Sequence, residues 1–215
     1  MKPAIAIKSC HRYADRRQAQ LDTWLQDVDI DFFFIIGRKA EPGPTVIQDA
    51  LMCNAPDDFK NIAPKVLFAC QYALEENITN MLICDDDTYL IYSRLMKSGF
   101  RRHDYVGHLR TDDIEYNKNK PYAQGSAFWL SERAMEWIVR NKHLMGFDII
   151  DDGAVGQALH RKVPFTHDDR YQPGPVWIDP ASDPDLITTH KCLPDVMRRL
   201  HEARRHTSQL TMGED

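Results

Sequence analysis

Apolar residues in this chain fall into short unbroken runs, separated by longer stretches where they recur every three or four positions. Ala4-Ile5-Ala6-Ile7, Phe32-Phe33-Phe34-Ile35-Ile36 and Met81-Leu82-Ile83-Cys84 are the clearest runs. Segments of that length, apolar throughout, predict strands buried on both faces of a mostly parallel sheet. Leu21, Trp24, Leu25 and Val28 recur at helical spacing and predict a helix over residues 15–26, with Arg12, Arg16 and Arg17 on its first turn and polar face. Val66, Leu67, Cys70, Ala73 and Leu74 predict a second helix starting near Asn61, a residue suited to an N-cap, with Pro64 in its first turn. Thr45-Val46-Ile47 predicts a further short strand, after the Pro/Gly loop at 42–44.

The second half continues the alternation. A short helix is expected at 93–97, a strand at 104–107, a mobile polar loop at 111–120 and a strand at 126–130. Ser131 should cap a helix carrying Ala134, Met135, Ile138 and Val139, and Asp151-Asp152 should open another, where the helix dipole favours carboxylates. Val163-Pro164-Phe165 predicts a last strand. A proline-rich loop at 167–185 then leads to a C-terminal helix from about 194 to 205 whose arginine-rich face should be solvated. The order predicts an α/β fold with a mixed, mostly parallel central sheet flanked by helices.

Composition narrows the classes. At 215 residues the chain suits a single domain. Its net charge of −5 argues against a general nucleic-acid binder, which needs excess Lys and Arg for phosphates. No apolar run approaches the roughly 20 residues of a membrane span, and the N-terminus does not read as a signal peptide. Five scattered cysteines without a CxxC pair read as free thiols, so a cytoplasmic location is expected.

The chemistry begins where the third run ends. Asp85-Asp86-Asp87 follow the apolar strand with no glycine or proline between. Three adjacent carboxylates repel in a partly desolvated cleft, and a hard divalent cation relieves that repulsion, as does solvent at an exposed acidic turn. The carboxyl ends of strands in open α/β sheets are where ligands bind, which favours the cation.

Several separated blocks together resemble one family. Residues 16–24, Arg16-Arg17-Gln18-Ala19-Gln20-Leu21-Asp22-Thr23-Trp24, are similar to its first helix. Asp57-Asp58-Phe59-Lys60-Asn61-Ile62-Ala63-Pro64-Lys65, Asp85-Asp86-Asp87-Thr88-Tyr89, residues 121–131 and Asp151-Asp152-Gly153-Ala154-Val155-Gly156 are similar to four more of its motifs, in order. The chain resembles the β-1,3-galactosyltransferase and Fringe superfamily of glycosyltransferases. That resemblance implies a GT-A nucleotide-sugar-binding fold, Mn²⁺ (with Mg²⁺ able to substitute), a UDP-sugar donor and a hydroxyl-bearing acceptor such as a glycan, protein or lipid. It implies a nucleotide-sugar-binding half over residues 1–110, an acceptor and catalytic half over 111–192, and a C-terminal helix and tail over 193–215.

The resemblance also assigns residues. Asp87, Asp85 and the distant His190 would hold the metal. Asp152 would be the general base, with Asp151 beside it. From their own chemistry, Lys8, Ser9, Arg12, Arg16, Lys65, Asp85, Asp86 and Lys191 are candidates to face the nucleotide, and Tyr122, Gln124, Gly125 (no Cβ) and Trp177 (by stacking) to face the sugar or acceptor. Two rival readings use the same acids: a nucleotidyltransferase or phosphoesterase, and a non-catalytic nucleotide-sugar-binding module.

Overall fold

A computed structural model of the chain describes residues 1–38, 50–110, 120–147, 150–174 and 177–211, with side chains as far as 206. The apolar runs form the strands expected of them. β1 (Pro3–Lys8), β2 (Asp31–Arg38) and β4 (Asn80–Asp85) lie side by side with β1 in the middle, all parallel. β3 (Ala50–Pro56) extends the parallel set beyond β2. The strand expected at Thr45–Ile47 lies outside the described residues.

On the other side of β4, β7 (Ala123–Ser131) runs antiparallel, followed by β6 (Tyr105–Leu109) and β8 (Phe165–His167). The seven-stranded order is therefore β3-β2-β1-β4-β7-β6-β8. Because β6 opposes β7, it points the same way as β4, and its carboxyl end reaches the same edge of the sheet. A small second sheet joins β5 (Tyr89–Leu90), β10 (Thr188–Thr189) and β9 (Tyr171–Gln172).

Helices cover both faces, as buried parallel strands require. α2 (Ile62–Glu75), α4 (Glu132–Arg140) and α5 (Asp151–Leu159) pack against Ala4, Ala6, Phe33, Ile35, Met81 and Ile83. α1 (Ala14–Leu21), α3 (Tyr92–Lys97) and α6 (Pro194–Thr211) cover Ile5, Ile7, Phe34, Ile36 and Leu82. Alternate residues of each strand thus supply alternate faces of one core.

Three local expectations change. The first helix ends at Leu21 instead of Gln26, because Thr23 leaves helical dihedrals and a 3₁₀ turn carries Trp24 and Leu25 into the core. Asn61 precedes α2 but caps nothing; Asp58 accepts its N–H at 3.1 Å and so closes the turn ahead of the helix. The basic face of α6 is partly paired, Arg198 with Asp22 and Arg204 with Asp27. Ser131 does cap α4, accepting the Ala134 N–H. Most of the loop expected to be mobile, residues 111–119, lies outside the described residues. No helix among the described residues is long and apolar enough to cross a membrane.

Candidate functional site

Parallel pairing of β1 and β4 sets Lys8 opposite Asp85 at the carboxyl edge of the sheet. The chain then turns, the Thr88 N–H returning to the Asp85 carbonyl at 3.2 Å, and this turn throws Asp86 and Asp87 into the cleft. Thr88 is pinned from its side chain, donating to the Ser126 carbonyl at 2.9 Å. The three aspartates are therefore held by neighbours on both sides of β4.

The small sheet brings the distant histidine to them. Thr189 pairs with Tyr89, and the Cys192 N–H donates to the Asp87 carbonyl at 2.9 Å. His190 lies between these two ties. Its Nδ1 is 2.8 Å from the Pro173 carbonyl, so in the neutral ring that nitrogen carries the proton and Nε2 faces the acids. Nε2 stands 2.8 Å from Asp87 Oδ1 and 3.4 Å from Asp85 Oδ2. One ligand atom from each of Asp85, Asp87 and His190 lies within 4.8 Å of the others. Two carboxylate oxygens and an imidazole nitrogen oriented by a backbone carbonyl fit a divalent cation, since such a carbonyl fixes both the ring and its tautomer.

The remaining charges are distributed unevenly. Asp86 takes the Ser9 hydroxyl at 2.8 Å and Arg16 at 3.0 Å, while its burial pushes the carboxyl up to about 6. Arg16 also reaches Asp87 at 3.2 Å and stacks over the Tyr13 ring. Burial alone would depress His190, but Asp85 and Asp87 outweigh it and raise the imidazole to about 9. Asp85 goes the other way: burial opposes ionisation, yet Lys8 and His190 hold it below the usual carboxylate range.

Beside this group lies a second acidic pair. Asp151 and Asp152 occupy the first turn of α5 and are both buried. Lys8 donates to Asp151, to Asp85 at 2.9 Å and to the Gly125 carbonyl at 2.8 Å. Those contacts use all three of its protons, and burial, which lowers the ammonium, is overcome by Asp151 and Asp85. Asp152 Oδ2 accepts from Arg110 at 2.8 Å and the Gly125 N–H at 3.1 Å, and Oδ1 from the Gly153 N–H at 2.7 Å.

A cleft of about 540 Å³ opens over the first group, lined by residues that include Ser9, Arg12, Arg16, Lys65, Asp85, Asp87, His190 and Lys191. Arg12 is exposed at its rim, and Lys191 is half exposed, 4.0 Å from Asp87. Lys65 is buried and spends two protons, on Asp57 at 2.7 Å and the Ser9 carbonyl at 3.1 Å. Gln124 is half-buried beside Gly125 on β7. Trp177 is 37% exposed, next to Ile178, whose N–H donates to Thr189 Oγ1. Tyr122 is different: it belongs to the core and packs where a side chain at Gly156 would stand, a Cβ there lying 2.5 Å from Tyr122 Cβ.

Three structural partners escaped the sequence reading. Asp57 ties the His11 N–H, the Gly37 N–H and Lys65 together under the cleft floor. Arg17 is buried and donates to Ser9 Oγ and the Cys10 carbonyl. Both sit in blocks that carry the resemblance, which was the available signal. Arg110 had none, since it follows the end of β6 ahead of an unpatterned stretch.

No protein-family model matches the chain, and no curated protein does. Solved structures do. The galactosyltransferase LgtC, in complex with donor and acceptor sugar analogs, aligns over 93% of this chain and 95% of its own, with TM-score 0.51 and 11% identity. A glycosyltransferase involved in glycosylation of the major capsid of PBCV-1 aligns over 93% and 99%, with TM-score 0.56 and 13% identity. The glycosyltransferase GlyE of Streptococcus pneumoniae TIGR4 aligns over 94% of this chain and 60% of its own, with TM-score 0.55 and 9% identity. The architecture built by the mixed seven-stranded sheet and its two helical layers is the GT-A glycosyltransferase fold.

Proposed function

We propose that the chain is a Mn²⁺-dependent, inverting glycosyltransferase of the β-1,3-galactosyltransferase and Fringe kind, moving a hexose from a UDP-sugar to a hydroxyl acceptor. The observation that carries this reading is the convergence of Asp85, Asp87 and a tautomer-fixed His190 at the carboxyl edge of a GT-A sheet. A bound divalent cation supplies Lewis-acid neutralisation of the diphosphate that leaves. Arg16 and Lys191, both facing Asp87 Oδ2, and Arg12 at the rim supply positive charge to the same phosphates.

Asp152 takes the proton of the attacking acceptor hydroxyl. Its carboxylate is oriented before substrate arrives, because two backbone N–H groups and Arg110 hold it. Arg110 stands on the same oxygen, Oδ2, so the incoming hydroxyl competes with the guanidinium for its remaining lone pair. Gly125, where a Cβ would stand 3.4 Å from Lys8 Nζ and 3.5 Å from Asp152, lines the acceptor side by holding those two groups, with Gln124 and Trp177 flanking the acceptor. Tyr122 supports this wall from the core instead of touching sugar. Residues 1–110 form the nucleotide-sugar half and 111–192 the acceptor half.

Calorimetry with UDP tests the reading. Binding should be present with Mn²⁺ and vanish on chelation, and a panel of UDP- and GDP-sugars should release UDP from its own donor. Equal UDP binding without metal would sink the metal role. Release of pyrophosphate or phosphate would favour the nucleotidyltransferase or phosphoesterase reading.

A further inference from the structure

Asp85 and Asp151 come from distant parts of the chain, and one ammonium joins them. Lys8 Nζ is 2.9 Å from Asp85 Oδ1, in hydrogen-bond contact with Asp151 Oδ2 and 2.8 Å from the Gly125 carbonyl oxygen. Its side chain is only 4% exposed. Oxygens of two carboxylates and a carbonyl, converging in a buried position, are a donor set that suits a hard cation as well as an ammonium. Asp85 is shared: one oxygen faces Lys8 and the other faces His190. That sharing is the arrangement by which a carboxylate bridges adjacent cations in two-metal sites, where the ions lie about 3.5–4 Å apart.

Asp85, Asp86, Asp87, Asp151 and Asp152 are met by Lys8, Arg16 and Arg110, with Arg17 buried behind Ser9, and of these cations Lys8 is the one that touches both acidic groups. Lys191 is more than half exposed and screened by solvent.

We infer that Lys8 is a positioning residue whose ammonium occupies the place a second divalent cation would take, limiting the site to one cation and tying Asp85 to Asp151. The lysine does by a fixed charge what a second ion would do by binding. A two-metal phosphoesterase or nucleotidyltransferase would lack this plug, so the inference deepens the glycosyltransferase reading and rests on its metal site.

The test is stoichiometric. Mn²⁺ is titrated into the full chain and free ion is followed by electron paramagnetic resonance. The wild-type chain should bind one Mn²⁺. Lys8→Ala should bind two, with the spin–spin broadening of neighbouring Mn²⁺ ions, and Lys8→Gln provides the same readout where the alanine variant fails to fold. Lys8→Arg, which keeps the charge, should stay at one. Two ions in the wild-type chain, or one ion in folded Lys8→Ala or Lys8→Gln, would overturn the inference while leaving the metal site standing. A wild-type chain that binds no Mn²⁺ would overturn the metal reading and this inference with it.

Discussion

The two acidic groups of this cleft are built from the same residue type and behave oppositely. Asp85 and Asp87 face a histidine that a cation would displace from hydrogen bonding into ligation, and Asp85 keeps 29% of its side chain exposed. Asp151 and Asp152 are closed in: Lys8 holds one, and Arg110 with two amides holds the other. The first group is held in position but keeps one member, Asp85, partly exposed at the cleft, where a ligand can reach it. The second is satisfied by the protein, so its geometry is set before any substrate arrives. Identical carboxylates thus divide into a receiving site and a prepared one, according to which donors the fold places beside them.

Breaking the prepared group should cost most. Asp152→Asn keeps the shape but removes the basic oxygen, so turnover should fall about 10²- to 10⁴-fold. UDP affinity with Mn²⁺, measured by calorimetry, should stay unchanged; a parallel loss of affinity would erase the distinction between the two groups. In the receiving group, Asp87→Ala removes a ligand outright. Metal-supported UDP affinity should drop on the order of 100-fold, at or beyond the upper end seen for outer-sphere partners.

Proton competition sharpens the contrast further. Metal must displace the proton that Asp85 and Asp87, against the effect of burial, hold on His190 up to about pH 9. Apparent Mn²⁺ affinity should therefore fall about tenfold per pH unit from roughly pH 8 to 7. Without metal the sign reverses. Because the folded pKa lies above the unfolded one, the stability from protonated His190 is fully present below about pH 6.5 and is lost as pH rises through about 9. Chemical denaturation of the metal-free chain across that window should show the decline, and a flat profile would deny the contacts.

The smallest effect on chemistry should come from packing behind the prepared group. In Gly156→Ala the new methyl meets Tyr122, at 2.5 Å from its Cβ. Overpacking of this kind should cost about 1–3 kcal/mol of stability, visible as a lower Tm. Turnover at a temperature well below that Tm should change little.

Much of this was legible in the residues. The runs at 4–7, 32–36 and 81–84 are apolar on both faces, which only a covered parallel sheet tolerates, and they became β1, β2 and β4. β3 was missed although Ala50-Leu51-Met52-Cys53 is apolar: the run is mostly half-buried and gives way to the alternation of an edge strand, with Cys53 and Ala55 buried and Asn54 and Pro56 exposed. The early end of α1 was invisible for another reason. Trp24 and Leu25 keep helical spacing, so only the Thr23 backbone distinguishes a helix from the 3₁₀ turn that buries them.

The sequence by itself determined the layered α/β fold, the acidic turn after β4 and the acidic start of α5, because each follows from local periodicity and the charge of adjacent residues. Tertiary structure alone decided that Pro173 would orient His190, that Lys8 would join Asp85 to Asp151, and that Arg110 would hold Asp152. Those partners lie far apart along the chain. What brings them together is strand register and loop closure, and neither leaves a period in the sequence to be read.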